Sequence, residues 1–456
     1  MSKGVSPASA LATLRAAEAR DGRLNVARRR ELLGRLEAAM FAHAARFAAA
    51  VDADYGGPAG GRSRTDTLLA DVVLVADAAR HARRKVAGWA RPRRARVPYP
   101  FWPASAREVP EPKGIVGIMA PWNYPVQLAL LPTVDALAAG NRVIVKPSEA
   151  TPATAALLAE MLPASLGPDI AQVVLGGPDV AADFAAQPFD HLVFTGGTET
   201  GRKVALAAAA NLVPVTLELG GKCPVIVPAG ADLARAARNI LAAKAVNAGQ
   251  TCIAPDTVLL VGHGFGSFLA ACRATGIGLP ETAIANPAQA ARLDRLTAGL
   301  TLHPLAPDGP GLRRALALAE LPPGSAAATE ELFGPVLGVV SLASLAEAIA
   351  WVRARPAPLA IYLNGASAAE TKAVTEATRS GAVVTERGVE YAAFPDLGFG
   401  GIGASGHGRT HGRAGFTALS HFRAMVHHSG WSLSRLFDLP RKAFAERLID
   451  KLAKLD

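Results

Sequence analysis

The chain has 456 residues, half of them apolar and only 5% aromatic, and a formal net charge of +10. That length allows two or three domains sharing an interface, with a core built from Ala, Leu and Val. Three cysteines, Cys223, Cys252 and Cys272, cannot make a disulfide framework and lie in no C-x-x-C or His/Cys ligand pattern, so no metal site is expected.

Met1 to Gly4 has no apolar signal core, and no run reaches the roughly 18 apolar residues of a membrane span, so a cytoplasmic, reducing location and no integral membrane segment are expected. Residues 8–90 read as helices, with apolar residues at helical spacing in Arg28–Ala50 and Thr65–Ala87. The densest basic run follows, from Arg83 to Arg96. Basic surfaces attract nucleic acid, but this run has one interleaved aromatic, Trp89, and lacks the stacking platform of a single-strand binder. It reads as a solvated or subunit-facing strand pair, with no nucleic-acid partner. Pro92, Pro98, Pro100, Pro103, Pro110 and Pro112 then break helical structure, which predicts extended arms.

From Gly114 the pattern alternates. Gly114–Met119 reads as a buried strand, Leu128–Ala139 as a helix ended by Gly140, Arg142–Val145 as a second strand, and Thr151–Leu162 as a helix with Thr151 as N-cap and Pro152 at its first position. Gln172–Leu175 and His191–Phe194 read as further strands and Thr198–Ala209 as a helix. A second alternating run passes from Val215 through Val225–Val227, a helix Leu233–Asn247, and Val258–Val261 to Val336–Val340, Ala360–Leu363 and Ala382–Thr385. Two α/β bodies in series are predicted, each with a mostly parallel sheet covered on both faces. Ser432–Asp456 reads as an amphipathic helix with Leu436, Phe437, Phe444, Leu448 and Leu452 among basic residues, packed on the body or lying on a membrane surface.

Several short segments sit at the ends of these elements. They are Pro121-Trp-Asn-Tyr-Pro125, Val145-Lys-Pro-Ser-Glu149, Phe194-Thr-Gly-Gly197 with Gly201, Leu217-Glu-Leu-Gly-Gly221, Gly249-Gln-Thr-Cys-Ile-Ala-Pro255 and Glu331-Leu-Phe-Gly-Pro335. Taken together, from about residue 10 to 430, the set resembles the aldehyde dehydrogenase superfamily. Cys252-Ile-Ala-Pro-Asp256, Arg355-Pro-Ala-Pro-Leu359 and Gly412–His421 are similar to its short, class 3-like branch, and within that to coniferyl aldehyde dehydrogenases.

The resemblance implies an α/β chain of two doubly wound parallel-sheet domains plus a small β arm for oligomerisation. Residues 1–84 and 113–217 would bind NAD(P), 85–112 with part of 399–430 would form the arm, 218–398 would be catalytic, and 431–456 a helical tail. It also implies NAD, with NADP possible, a small-molecule aldehyde as substrate, and a homodimer.

The chemistry fits the residue types. A Cys252 thiolate can add to an aldehyde carbonyl to give a thiohemiacetal, the alternative being a buried inert cysteine, as Cys223 and Cys272 read. Asn123 could donate its amide N–H to the resulting oxyanion, a contact typically worth about 3–4 kcal/mol in the transition state, or merely shape its turn. Glu218, between Leu217 and Leu219, would have a raised pKa suited to activating water against a thioester, or would cap the Gly220-Gly221 turn. Lys146 and Glu149 match the positions that hold the adenosine ribose, and a carboxylate there favours NAD over a 2′-phosphate. Thr195, Gly196, Gly197 and Gly201 would cradle the pyrophosphate at a helix entry, though without the G-x-G-x-x-G spacing. Glu331 and Phe333 match the positions that hold the nicotinamide ribose and ring, and Trp122, Ser148, Leu219 and Gly220 complete the implied cofactor set.

Three departures stand out. The stretch between Cys252 and Glu331 looks shorter than in relatives, which predicts a trimmed helix. Thr385–Tyr391 replaces an Asn-Asp pair and a following His near the substrate entrance, and Thr410 stands where relatives carry Tyr. The favoured function is oxidation of an aromatic or bulky apolar aldehyde to its acid. The alternatives are a weakly active or inactive homologue with a binding or structural role, and a cofactor-free thioester hydrolase, for which Lys146, Glu149 and Glu331 would have no use.

Overall fold

The computed structural model describes residues 5–57, 60–430, 432, 434–435 and 438–454. In chain order the strands are β1 (Arg93–Ala95), β2 (Ser105–Pro112), β3 (Ile115–Met119), β4 (Arg142–Lys146), β5 (Ala171–Val173), β6 (His191–Gly196), β7 (Val215–Leu219), β8 (Pro224–Val227), β9 (Thr257–Val261), β10 (His303–Pro304), β11 (Ala317–Glu320), β12 (Val336–Leu342), β13 (Ala360–Leu363), β14 (Ala382–Thr385), β15 (Gly406–His407) and β16 (Ser420–His427).

They form three sheets. Six strands in the order β15-β7-β6-β3-β4-β5 make the first, parallel except for β15. Seven strands in the order β10-β11-β12-β9-β8-β13-β14 make the second, parallel except for β10. The third is the antiparallel ribbon β1-β2-β16. Every residue of β3, β4, β8, β9 and β13 is buried, the continuous apolar pattern of strands covered on both faces.

The N-terminal block packs on the first sheet. Its helices Pro7–Asp21 and Val26–Ala42 begin at Ser6 and Asn25, whose side chains accept from Ser9 N at 3.2 Å and Arg28 N at 2.9 Å. Leu32, Leu33, Leu36 and Met40 pack with Val75, Ala79 and Val86 of helix Leu74–Trp89 and with helix Gln127–Ala139. A π-helical turn, Thr67–Val73, leads into that helix and carries a fully buried Asp71. Such turns often sit beside functional sites, as this one does.

Two local expectations are corrected. Thr151 occupies the N-cap position of helix Pro152–Leu166 but makes no side-chain cap. Asp54 caps it instead, accepting from Ala153 N and Thr154 N at 2.9 Å each. Among the described residues of the tail the α-helix covers Ala443–Leu452. Pro440 disfavours helix at the residue before it and cannot supply an N–H, and residues 438–442 before the helix are not helical. Leu436 and Phe437 lie outside the described residues, while Phe444 and Leu452 are exposed. The 253–330 stretch carries two helices, Phe265–Ala274 and Pro287–Thr297. Among the described residues no helix is long and apolar enough to cross a membrane, and no cluster of metal-ligating side chains is found.

Candidate active site

In the first sheet the chain runs from β3 outward to β4 and β5, then returns to place β6 and β7 on the other side of β3. Ligands of doubly wound sheets bind beyond the carboxyl ends of the strands at such a reversal. Pro121, Trp122 and Asn123 follow β3, and Thr195 and Gly196 end β6. Glu218 and Leu219 end β7. All of these except Pro121 were singled out in the sequence.

The loop carrying Cys252 approaches from the second sheet. Helix Leu233–Ala245 stops short of the predicted Asn247, because Asn247, Ala248 and Gly249 take positive φ of 49°, 52° and 72°. A Cβ at Gly249 would lie 2.3 Å from the Gly334 carbonyl oxygen, so only glycine fits there. Left-handed backbone in non-glycine residues persists where surroundings over-determine it. Here Asn247 Nδ2 donates to Asn123 O at 2.9 Å, and Gln250 Nε2 donates to Asn247 O and Ala283 O at 3.0 Å each.

Two cavities meet at this loop. One, of about 260 Å³, is lined by Trp122, Asn123, Thr195, Gly196, Gly197, Gly220, Glu331 and Phe333. The other, of about 300 Å³, is mostly apolar, with Leu69, Leu131, Ile253, Leu359 and Phe399 among its walls. Leu128, Thr195, Glu218, Leu219 and Cys252 line both. Cys252 is the one thiol on either wall among the described residues. Cys223 is fully buried and donates to Cys252 O at 3.3 Å, and Cys272 is buried in its helix. Burial, then the nearby Glu331 and Glu218 carboxyls, push the Cys252 thiol up, while its own backbone N–H and that of Ile253 favour the thiolate. The resting thiol is therefore protonated and needs a base.

Glu218 supplies a carboxyl of the right kind. It is 5% exposed, Thr410 Oγ1 donates to its Oε1 at a long 3.5 Å, and its Oε2 has no partner. Burial pushes it well above the usual carboxylate range. Asn123 Nδ2 donates one N–H to Gln250 O at 3.1 Å, leaving the second for a ligand.

The backbone that presents Asn123 rests on a buried network that the sequence reading missed. The Asn123 carbonyl accepts from Arg62 Nη1 at 2.6 Å and from the Tyr55 hydroxyl at 3.1 Å. Arg62 pairs with Asp71 at 2.9 Å, both side chains fully buried, and lies over the rings of Tyr55 and Tyr124 at 5.4 and 4.7 Å. Removing one partner of such a pair strands a buried charge, so the network locks the loop. Nothing in local periodicity marks Arg62 or Asp71; the pairing joins a loop to a helix through the fold.

Glu331 reaches across beside Gly220, where a Cβ would strike its Oε2, and the Gly221 N–H bonds to it. Burial pushes Glu331 up to about 8. Phe333 stands edge-on to Trp122, ring centroids 5.5 Å apart. Lys146, Ser148 and Glu149 lie outside both cavities, at the end of β4, with Lys146 Nζ 2.8 Å from Glu149 Oε2. Burial works against the ionised Glu149, but the Lys146 hydrogen bond holds it below its usual range. Ser148 Oγ accepts from Ala150 N at 3.2 Å and so shapes this turn. Gly201 packs its helix on Leu219, where a Cβ would come within 2.6 Å. The altered 385–391 loop sends Val389 and Glu390 into the wall of the apolar cavity.

The family model described as the aldehyde dehydrogenase family matches residues 6–280 and 288–425. The coniferyl aldehyde dehydrogenase of Pseudomonas sp. (strain HR199) is 38% identical over 438 residues, 92% of this chain and 90% of that one. A probable coniferyl aldehyde dehydrogenase of Pseudomonas aeruginosa is 39% identical over 88% of this chain and 87% of its own length. Substrate-bound AldH of Staphylococcus aureus superposes with a TM-score of 0.88 at 28% identity, covering 98% of this chain and 99% of that one. An aldehyde dehydrogenase C variant from Pseudomonas syringae, complexed with NAD+ and octanal, gives 0.81 at 27% identity, covering 92% and 88%. With the family model matching nearly the whole chain, relatives 38–39% identical over most of it and the same fold in the solved structures, this protein belongs to the aldehyde dehydrogenase family.

Proposed function

We propose that the chain oxidises an aromatic or bulky apolar aldehyde to its carboxylic acid, with Cys252 as nucleophile, Glu218 as base, Asn123 as oxyanion donor and a nicotinamide dinucleotide as electron acceptor. The observation that carries this reading is the meeting of two cavities at Cys252 and Glu218, one bearing the polar groups of Asn123, Thr195, Arg292 and Glu331 and one mostly apolar.

The division of labour follows. Residues 1–84 and 113–217 hold the dinucleotide, 218–398 carry the nucleophile, and 85–112 with part of 399–430 form the arm. Glu218 takes the Cys252 proton, Sγ bonds to the carbonyl carbon, and the carbonyl electrons move to oxygen, where the Asn123 amide and the Cys252 N–H hold the charge. A nicotinamide held beside Trp122, Glu331 and Phe333 would supply the acceptor for the hydride that leaves carbon as that oxygen re-forms its double bond. The thioester left on Cys252 is attacked by a water whose proton Glu218 removes, and the C–S bond breaks to release the acid.

The residues fit the dinucleotide. A Cβ-free Gly220 lets the Glu331 carboxyl in, and this half-buried group, pushed up to about 8, is suited to hydrogen bonding a nicotinamide ribose beside Phe333. Trp122, Thr195, Gly196, Gly197, Gly201, Leu219 and Gly220 leave space at a helix entry for the pyrophosphate, which a +10 chain also attracts. Lys146, Ser148 and Glu149 would hold the adenosine ribose.

The test is a panel of aldehydes read by NADH and NADPH absorbance. Aromatic and long apolar aldehydes should be oxidised faster than acetaldehyde, with NAD preferred, and Glu149→Gln should shift the preference toward NADP by about tenfold, the worth of one charged contact of roughly 1.4 kcal/mol. A wild type that strongly prefers NADP would show that Glu149 does not face the ribose.

The arm carries the prediction of a homodimer. β1 and β16 are the edges of a three-stranded ribbon, and Tyr99, Trp102 and Val426 on it are 68%, 55% and 58% exposed. Unpaired edges with exposed rings are a liability unless covered, and a twofold exchange of arms covers both at once. Light scattering at moderate salt should report twice the 46.9 kDa chain mass, and Trp102→Asp should lower it to one. A fully active wild-type monomer would contradict this.

A further inference from the structure

Behind the apolar cavity lies a second, larger cleft that the chemistry above does not use. It measures about 520 Å³ and shares Leu69, Leu74, Leu131, Ala392 and Ala393 with the apolar cavity as a common wall. Thr410 lines the inner side of that wall and His411, the next residue, the outer side. Glu218 lies within, bonded to Thr410, and Asp135 lies without, close enough that its charge raises Glu218. Asp135 sits one turn beyond Leu131 on helix Gln127–Ala139, so both face the wall.

We infer that Asp135 and this cleft form a proton exit from Glu218, an inference that rests on Glu218 being the base. Each turnover loads Glu218 with protons taken from Cys252 and from the attacking water, and a base enclosed to 5% exposure must pass them on before it can act again. The proton leaves the Glu218 carboxyl, crosses the wall at Thr410 and His411 to the Asp135 carboxylate, and goes from there to water in the cleft; no other bond changes. Glu218 Oε2 and His411 Nδ1 are both buried without partners on this path. Burial pushes Asp135 up to about 8, so it can take and release a proton near neutrality. The titratable and charged groups around it are Glu218 across the wall, itself lowered by the exposed Arg409, and Asp77, Arg80, His81, Arg84 and His411 along the cleft, with Asp396 beside His81 at 3.1 Å.

The plainer role for Asp135 is to hold helix Gly412–Ala418, since it accepts from His411 N at 2.9 Å and leaves no room for a Cβ at Gly415. An asparagine can accept the same backbone bond but cannot carry a proton. Asp135→Asn should therefore keep the fold and a full first-turnover burst of NADH. Its steady turnover should fall about tenfold and recover as imidazole or formate buffer is raised, while the wild type ignores buffer. Wild-type turnover without buffer dependence in Asp135→Asn would reduce Asp135 to a helix cap. As a second variant, Ala78→Phe plugs the cleft without touching Asp135. It should show the same buffer-dependent slowing, and unchanged turnover in it would also overturn the exit. Loss of the burst itself in Asp135→Asn would place Asp135 ahead of hydride transfer and overturn the exit, whereas the reading of Glu218 as base fails separately, if Glu218→Gln keeps full steady turnover.

Discussion

Cys252→Ala should lose dehydrogenase turnover by about 10⁴-fold or more, the order seen when a covalent nucleophile is removed, while keeping its fold and its affinity for NAD. The fold should survive because the side chain lies against open space where the two cavities meet, so its loss leaves no sealed void. Binding should survive because the groups assigned to the dinucleotide lie on β4, β6, β7 and the Glu331 loop. Cys223→Ala and Cys272→Ala are the controls. Both thiols are fully buried, so their truncation costs stability, about 1 kcal/mol each, and leaves most activity. Steady-state NADH production and NAD titration of the three variants check this. Substantial turnover in Cys252→Ala, or equal loss in either control, would mean that another group forms the covalent bond.

The alternating strands and helices, and the short segments between them, were legible because each signal is local. A buried strand is a run of apolar residues, and Gly249-Gln-Thr-Cys252 or Leu217-Glu-Leu-Gly220 sits at the end of one element. What stayed hidden joins distant parts of the chain. Asp54 caps a helix whose own Thr151 looked sufficient, because a carboxylate can accept two N–H groups where a hydroxyl reaches one. Arg62 and Asp71 carry no local signal of burial, and only the fold shows them fully buried beneath Asn123. Asp135 sat inside an apolar helix pattern and drew no notice, although a carboxylate on a buried face is among the stronger signals of a site. The left-handed turn at 247–249 had one sign, Gly249, and no periodicity could extend it to Asn247 and Ala248.

Glu218→Gln should separate the two halves of the reaction. The amide keeps the shape of the side chain but cannot take a proton from water. A first turnover of NADH should still appear, slowed only by the share of thiolate that forms without the base, and the acyl-enzyme should then persist with steady turnover lower by about 10²–10⁴-fold. Mass spectrometry of the quenched protein should find the acyl group on the peptide carrying Cys252. The pH profile gives an independent reading. Glu218 acts as a base only when ionised, and its burial pushes its folded pKa well above the ordinary carboxylate value. Wild-type turnover should therefore rise with pH on a limb lying well above the usual carboxylate range, and that limb should vanish in Glu218→Gln. Stability moves the opposite way. A carboxyl whose folded pKa is raised stabilises the fold fully below its unfolded pKa, and that contribution is lost as pH rises through the folded value. Glu218→Gln removes this loss, so its melting temperature relative to wild type should climb with pH. A variant with no burst at all would place Glu218 at the activation of Cys252 alone. A variant with full steady turnover would remove it from the chemistry and leave its raised, unpartnered carboxyl without a task.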